Sequence, residues 1–354
     1  MKTSSLKCCT FAALLLQTFA FSQVSSAATV TWDGGGGDSH WGTATNWDPD
    51  GVPNPPDNVV FGNLTPSTTT VNEANQGVAD ARVNSLTYSK SNFNTTIDTS
   101  ALSPKNLLIR NLSGDDTISN SGENSILTFA LAVRIDKFSG GNPFIEVQNA
   151  ASAIEFKNNL NILFAGGPNS LTLQGDGNFS FSAPVQKSGI IGAADVNLIM
   201  AGDGSLVLGD GGAINTSWFT LAGGTLKPDS SSTINNLAAF GISANSAMDF
   251  GLADAKLTFA DSTGVAWDGG ATLTILNFDE ASDAWMVPTG GLTAQQLSQI
   301  TFDGNPGGPG ARLEANALSG FDFVLPIPEP GVTSLLLSGV LVFSAFRRNF
   351  RQRA

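Results

Sequence analysis

Histidine occurs once in the 354 residues, as His40, and cysteine twice, as Cys8 and Cys9. A structural zinc site or a Cys/His catalytic pair therefore lacks its raw material, and no triad partner is evident for His40. Basic residues are few as well: 17 Lys and Arg stand against 30 Asp and Glu, for a net charge of −13 and an isoelectric point near 4.3. No basic run in the body could neutralise a row of phosphates, which argues against nucleic acid as a partner. Charged residues total 13%, about half of the roughly 25% usual in a soluble domain. Helical periodicity is missing beyond a turn or two at 292–300 (LTAQQLSQI). What abounds is glycine, 39 residues, and short apolar segments between turn residues.

The two ends read as addresses. Lys2 and Lys7 precede an apolar run at 11–21 (FAALLLQTFAF), and Ser26, Ala27 and Ala28 then supply the small residues of a signal-peptidase site, so residues 1–28 are expected to be a signal peptide cleaved after Ala28. Both cysteines fall inside it, which leaves the mature chain without thiols and excludes disulfide and redox chemistry. At the other end, residues 332–346 (VTSLLLSGVLVFSAF) form an uncharged run of 15, short of the roughly 20 an untilted span needs. Arg347, Arg348, Arg351 and Arg353 follow and would hold that end in the cytoplasm. Just before the run, Pro326, Pro328 and Pro330 forbid helix and leave an extended peptide. Motif, marginal span and basic stop in that order resemble the bacterial PEP-CTERM sorting signal, with Pro328, Glu329 and Pro330 as the motif. The resemblance implies transient membrane anchoring, then processing by an exosortase-type membrane protease and delivery to the cell surface or the exopolysaccharide matrix. Without Lys2, Lys7, the four tail arginines and Glu329, 11 basic and 29 acidic residues remain, a net charge of −18.

Between the ends, segments of mostly three to eight apolar or alternating residues are bounded by Gly, Asn, Asp and Ser. They include 106–110, 126–135, 144–147, 154–156, 160–164, 171–173, 179–181, 198–200, 206–208, 256–259 and 271–278. Many short strands mean a sandwich, a barrel or a solenoid. A repeat helps to choose: LTLQGDGNFSF at 171–181, LIMAGDGSLVL at 198–208 and FTLAGGTL at 219–226 share Gly175, Gly202 and Gly223, spaced 27 and 21 apart, close to one coil of a parallel β-helix. The segment 171–228 resembles the autotransporter-associated β-strand repeat of surface proteins. The opening segment, with Trp32, Trp41 and Trp47, is also similar to the start of such proteins. Those tryptophans can close the exposed end of a solenoid or present an aromatic platform to sugar rings, and the first role is favoured because buried aromatics usually serve packing.

The expected architecture is thus all-β: a right-handed parallel β-helix over 29–323, a Pro-rich linker carrying the motif at 324–331, and a short transmembrane helix with its basic tail at 332–354. Asp33, Asp38, Asp48, Asp50 and Asp57 read as turn residues, as do Asp176, Asp203 and Asp210, which match no calcium-loop pattern. Lyases on β-helices use Arg or Lys as base, and the body offers Arg82, Arg110, Arg134 and Arg312 with seven lysines, none in a recognisable motif. Asn63, Asn94, Asn111, Asn178 and Asn215 stand in glycosylation sequons. No catalytic residue, metal ligand or cofactor is assigned. The expected function is that of an exported, non-enzymatic surface or matrix protein contacting exopolysaccharide. The competing reading is a secreted carbohydrate-active enzyme or carbohydrate-binding module on the same scaffold.

Overall fold

The computed structural model describes residues 27–328 except 55, 72–79, 100–105, 112–115, 138–141, 165–168, 189–194, 230–232, 252–253, 304–309 and 317–319. Within them the short alternating segments are strands, and nearly all pair in parallel with the strand one coil before and one coil after. The chain winds as a parallel β-solenoid of about 8 turns. Each coil lays one strand on each of three faces. The first face has ten strands, from Trp47–Asp48 to Ala239–Ile242, and the second ten, from Thr68–Val71 to Ile300–Phe302. The third has six, from Ala81–Val83 to Ile214–Asn215, followed towards the C-terminal end by a five-stranded sheet.

Period-two alternation explains the core. Every second residue of a strand points inward, and parallel in-register pairing sets like on like. On the first face Val59, Leu86, Ile118, Ile145, Leu173, Met200, Leu221 and Ile242 lie one above another in register, and all are buried. On the second face the rings of Phe129, Phe156 and Phe181 stack with centroids 5.1 and 5.2 Å apart, close to the roughly 4.8 Å step between strands.

The glycine repeat is the coil repeat. Gly175, Gly202 and Gly223 have φ of +107°, +91° and +120° and sit one above another where the chain turns from the first face to the second. A Cβ on Gly202 would lie 2.5 Å from the carbonyl oxygen of Gly175, and one on Gly223 would lie 2.8 Å from that of Gly202. The winding runs well beyond that repeat, from Asn58–Phe61 to Ile300–Phe302, inside the body expected over 29–323. Other corners use other chemistry. Buried Asn120 donates from Nδ2 to the carbonyls of Ser125 (3.2 Å) and Ala153 (3.0 Å), and its Oδ1 accepts from Gly122 N and Ser125 Oγ. The segment expected to be continuous over 126–135 is two strands, Ile126–Phe129 on the second face and Val133–Lys137 on the third. Its apolar pattern runs on through the corner because Leu131 is buried there as well.

Both ends of the stack are covered. At the N-terminal end Trp47–Asp48 pairs antiparallel with Thr29–Trp32. Trp32, Trp41 and Trp47 are at most 2% exposed and pack on each other and on Phe61, with centroids 4.9 to 5.8 Å apart. They close the first coil, and rings so buried present no platform to a sugar. Asn46, fully buried, holds the preceding loop by donating to Asp38 Oδ1 and the His40 carbonyl and accepting from Gly36 N. At the other end Trp267 Nε1 and Asp268 N donate to the carbonyls of Phe240 and Ile242, covering the edge of the first face. The helical turn expected at 292–300 is the helix Ala294–Ser298, with a Thr293/Gln296 capping box, and Gln296 Nε2 satisfies the carbonyls of Ser262 and Val265. The antiparallel strands Ala311–Asn316 and Phe321–Pro326 finish the last sheet, the second running on into the stretch expected to be linker. Among the described residues no helix is long and apolar enough to cross a membrane, and the span expected at 332–346 lies outside them.

Stacked glycines make a measurable demand. Gly202→Ala meets both the left-handed φ penalty of about 1–2 kcal/mol and the carbonyl of Gly175, whereas Gly251→Ala, at φ +73° with nothing within 4 Å, meets the φ penalty alone. Urea unfolding should show Gly202→Ala lowering the midpoint clearly more than Gly251→Ala; equal midpoints would mean that the stacked turn yields.

Candidate anion-binding face

Alternation on the third face decides which charged residues look outward. Arg82 lies between buried Ala81 and Val83, Arg134 between buried Val133 and Ile135, and Arg110 follows buried Ile109. All three guanidinium-bearing residues are therefore placed on the outer surface. Register then brings them together: Arg82 pairs with Leu108, Leu108 with Arg134, and Arg110 with Asp136. At roughly 4.8 Å per strand, three of the body's four arginines occupy three consecutive rungs.

One carboxylate lies among them. Asp136 is 2% exposed, and Arg134 grips it with both nitrogens of its fork, Nε to Oδ1 at 2.6 Å and Nη2 to Oδ2 at 2.9 Å. Burial pushes the Asp136 carboxyl above its ordinary range, opposed by the hydrogen bond and charge of Arg134 and by the charges of Arg110 and Arg82. Arg134 itself is 40% exposed. Arg82 Nε is buried and meets no hydrogen-bond acceptor among the described residues. The result is a compact patch of three guanidinium groups around a single buried carboxylate, on a rod that is acidic elsewhere. Planar forks of this kind suit carboxylate or sulfate groups.

The other residues singled out from sequence fall into simpler places. Ala28 adjoins the first strand, its carbonyl accepting from Asn58 N at 2.7 Å. Pro328 is exposed just past the last strand, whereas Glu329, Pro330, Arg347, Arg348, Arg351, Arg353 and residues 1–26 lie outside the described residues. Exposed His40 forms an isolated parallel bridge to Thr70 in the N-terminal cap. Asp38 accepts from His40 N, Asn46 Nδ2 and Thr43 Oγ1, and the backbone bond leads in holding its carboxyl below the usual range. Asp33 and Asp57 accept from backbone amides of their own turns, as turn residues do. Asp176, Asp203 and Asp210 are exposed, and among the described residues no group of three or more His, Cys, Asp or Glu converges as a metal site would. Among the sequon asparagines, Asn63, Asn94 and Asn215 are exposed, and Asn178 is tied to Ser205 and the Ala150 carbonyl. Arg312 is remote in the fold from the other three arginines, on the last sheet. Compared with protein-family models, curated proteins and solved structures, the chain matches none.

The arginine patch was hidden in the sequence because no local motif carries it. The only available signal was the interval of 52 between Arg82 and Arg134, twice the 26 residues that separate equivalent positions of adjacent coils here.

Arg134→Gln leaves a buried carboxylate without its fork. The loss should be roughly 1–3 kcal/mol, below that of a fully buried pair because Arg134 is part exposed. Because the folded Asp136 pKa lies above the unfolded one, the cost of its charge is absent at low pH and grows as pH rises through that folded value. The variant should therefore lose more stability at pH 7 than at pH 4 in paired urea titrations. An equal loss at both would remove Asp136 from the account.

Proposed function

We propose that this protein is an exported structural component of the cell surface or extracellular matrix, with a right-handed β-helical body, released from a transient membrane stage by an exosortase-type protease. The observation that carries the reading is the exit of the chain from the fold. Strand Phe321–Pro326 completes the last sheet, and Ile327, 46% exposed, and Pro328 follow it in the open. A protease whose motif begins at Pro328 thus meets accessible chain beside a closed rod, not a segment it must first pull from the core.

On the matrix side the contact is an acidic exopolysaccharide, held at Arg82, Arg110 and Arg134. Charge supports this: a body at net −18 repels polyanions along most of its length, so any anionic polymer must be taken up at a local cationic patch. The same patch also favours the competing reading, a secreted carbohydrate-active enzyme or carbohydrate-binding module, since a buried carboxyl with raised pKa beside arginines is chemistry that enzymes use.

Peptide mapping of the protein recovered from native cell surface and medium tests the sorting step. The expected chain begins at Thr29, ends near Pro328 and lacks the arginine tail. Recovery of Arg347–Arg353 peptides from the membrane fraction alone would mean a permanent anchor. On an immobilised acidic polysaccharide, Arg82→Gln with Arg134→Gln should lower the salt needed for elution. Glycan turnover abolished by a single Arg or carboxylate change would replace the structural reading with the enzymatic one.

A further inference from the structure

Among the described residues the last sheet ends in a strand with one strand neighbour, the helix Ala294–Ser298 also approaching it. Its order is Thr233–Leu237, Lys256–Phe259, Ala284–Pro288, Phe321–Pro326 and Ala311–Asn316. Ala311–Asn316 pairs antiparallel with Phe321–Pro326 on one side, and among the described residues no strand pairs with its other side. Such an edge presents backbone donors and acceptors to any strand that reaches it. We propose that this edge takes a second copy of the same strand, antiparallel, joining two rods at their C-terminal ends.

The side chains specify that partner. Leu313 points inward and packs on the core, while Arg312 and Glu314 stand on either side of it on the outer surface and pair with each other. Charges at a sheet edge normally repel foreign strands. Here the two are of opposite sign and flank one residue. Antiparallel pairing about a two-fold axis at Leu313 sets Arg312 opposite the partner's Glu314, Glu314 opposite the partner's Arg312, and Ala311 opposite the partner's Ala315.

Every competing register is worse. An axis at Arg312 faces arginine with arginine, an axis at Glu314 faces glutamate with glutamate, and parallel in-register pairing does both. A slip by one residue turns the charged face against the core face. The strand is therefore complementary to itself in one arrangement, which is what an isologous two-fold interface requires. Joining end to end also keeps the two acidic bodies farther apart than lying side by side would.

The test is sedimentation equilibrium of the full chain in mild detergent. The wild type should show a reversible dimer. Arg312→Glu and Glu314→Arg, each placing like charges in apposition, should weaken dimerisation by at least ~10-fold in Kd. The double exchange, Arg312→Glu with Glu314→Arg, rebuilds complementarity and should restore it to within about 3-fold of wild type. Restoration also shows that both exchanged side chains are compatible with the fold, and circular dichroism of the single variants should match that of the wild type. A wild-type chain that stays monomeric, or a dimer indifferent to all three variants, or a double exchange as weak as the singles, would overturn the proposal.

Discussion

Each rung of this solenoid is buried only by the rungs on either side of it. A coil of some 27 residues has too few inward side chains to enclose a core, so its strands gain stability only when an in-register copy of the pattern lies one strand step away. Most other features of the fold answer that condition. The columns of Val, Leu, Ile and Met on the first face and the phenylalanine stack on the second keep like side chains in register. The corners must bring backbone onto backbone, which is why stacked glycines or buried Asn120 occupy them.

The same condition makes the two ends special, since a terminal rung has one neighbour at most. The N-terminal end is covered by an antiparallel strand and three tryptophans, tied by the bond from Trp47 Nε1 to the Trp41 carbonyl. The C-terminal end uses side-chain donors where strand amides would otherwise be needed: Trp267 on Phe240, Gln296 on the loop at 262–265, and Gln299 on Asp268 and Ala271. With inward positions taken up by stacking and most of each end by closure, recognition is left to the outward columns and to the edge at Ala311–Asn316. There charges that lie far apart along the chain become a patch across rungs, as at Arg82, Arg110 and Arg134.

Much of this was legible from residues alone. Alternation identified 144–147, 160–164 and 256–259 with their observed bounds, and the spacing of Gly175, Gly202 and Gly223 matched the length of the coils that hold them. The tryptophan cap was readable because three large aromatics near an open solenoid end have little else to cover. The lengths of the individual coils were not legible. Coils range from 20 residues between Leu206 and Leu226 to 32 between Thr87 and Ser119, and outside 171–228 the corners share no signature. Nor was the break in 126–135 visible, since a buried Leu131 carries the apolar pattern through the turn.

Strand content, the inward and outward alternation, the coil length where glycines mark it and the acidity of the rod were all settled at the level of the amino-acid order, because they depend on neighbours along the chain and on composition. Which rungs are adjacent was settled only in three dimensions. That choice set Arg134 on Asp136 next to Arg110, left Ala311–Asn316 at an edge, and put Pro328 outside the core. Adjacency across rungs depends on the summed length of the intervening turns, and a parallel ladder tolerates many turn lengths provided its inward columns stay in register.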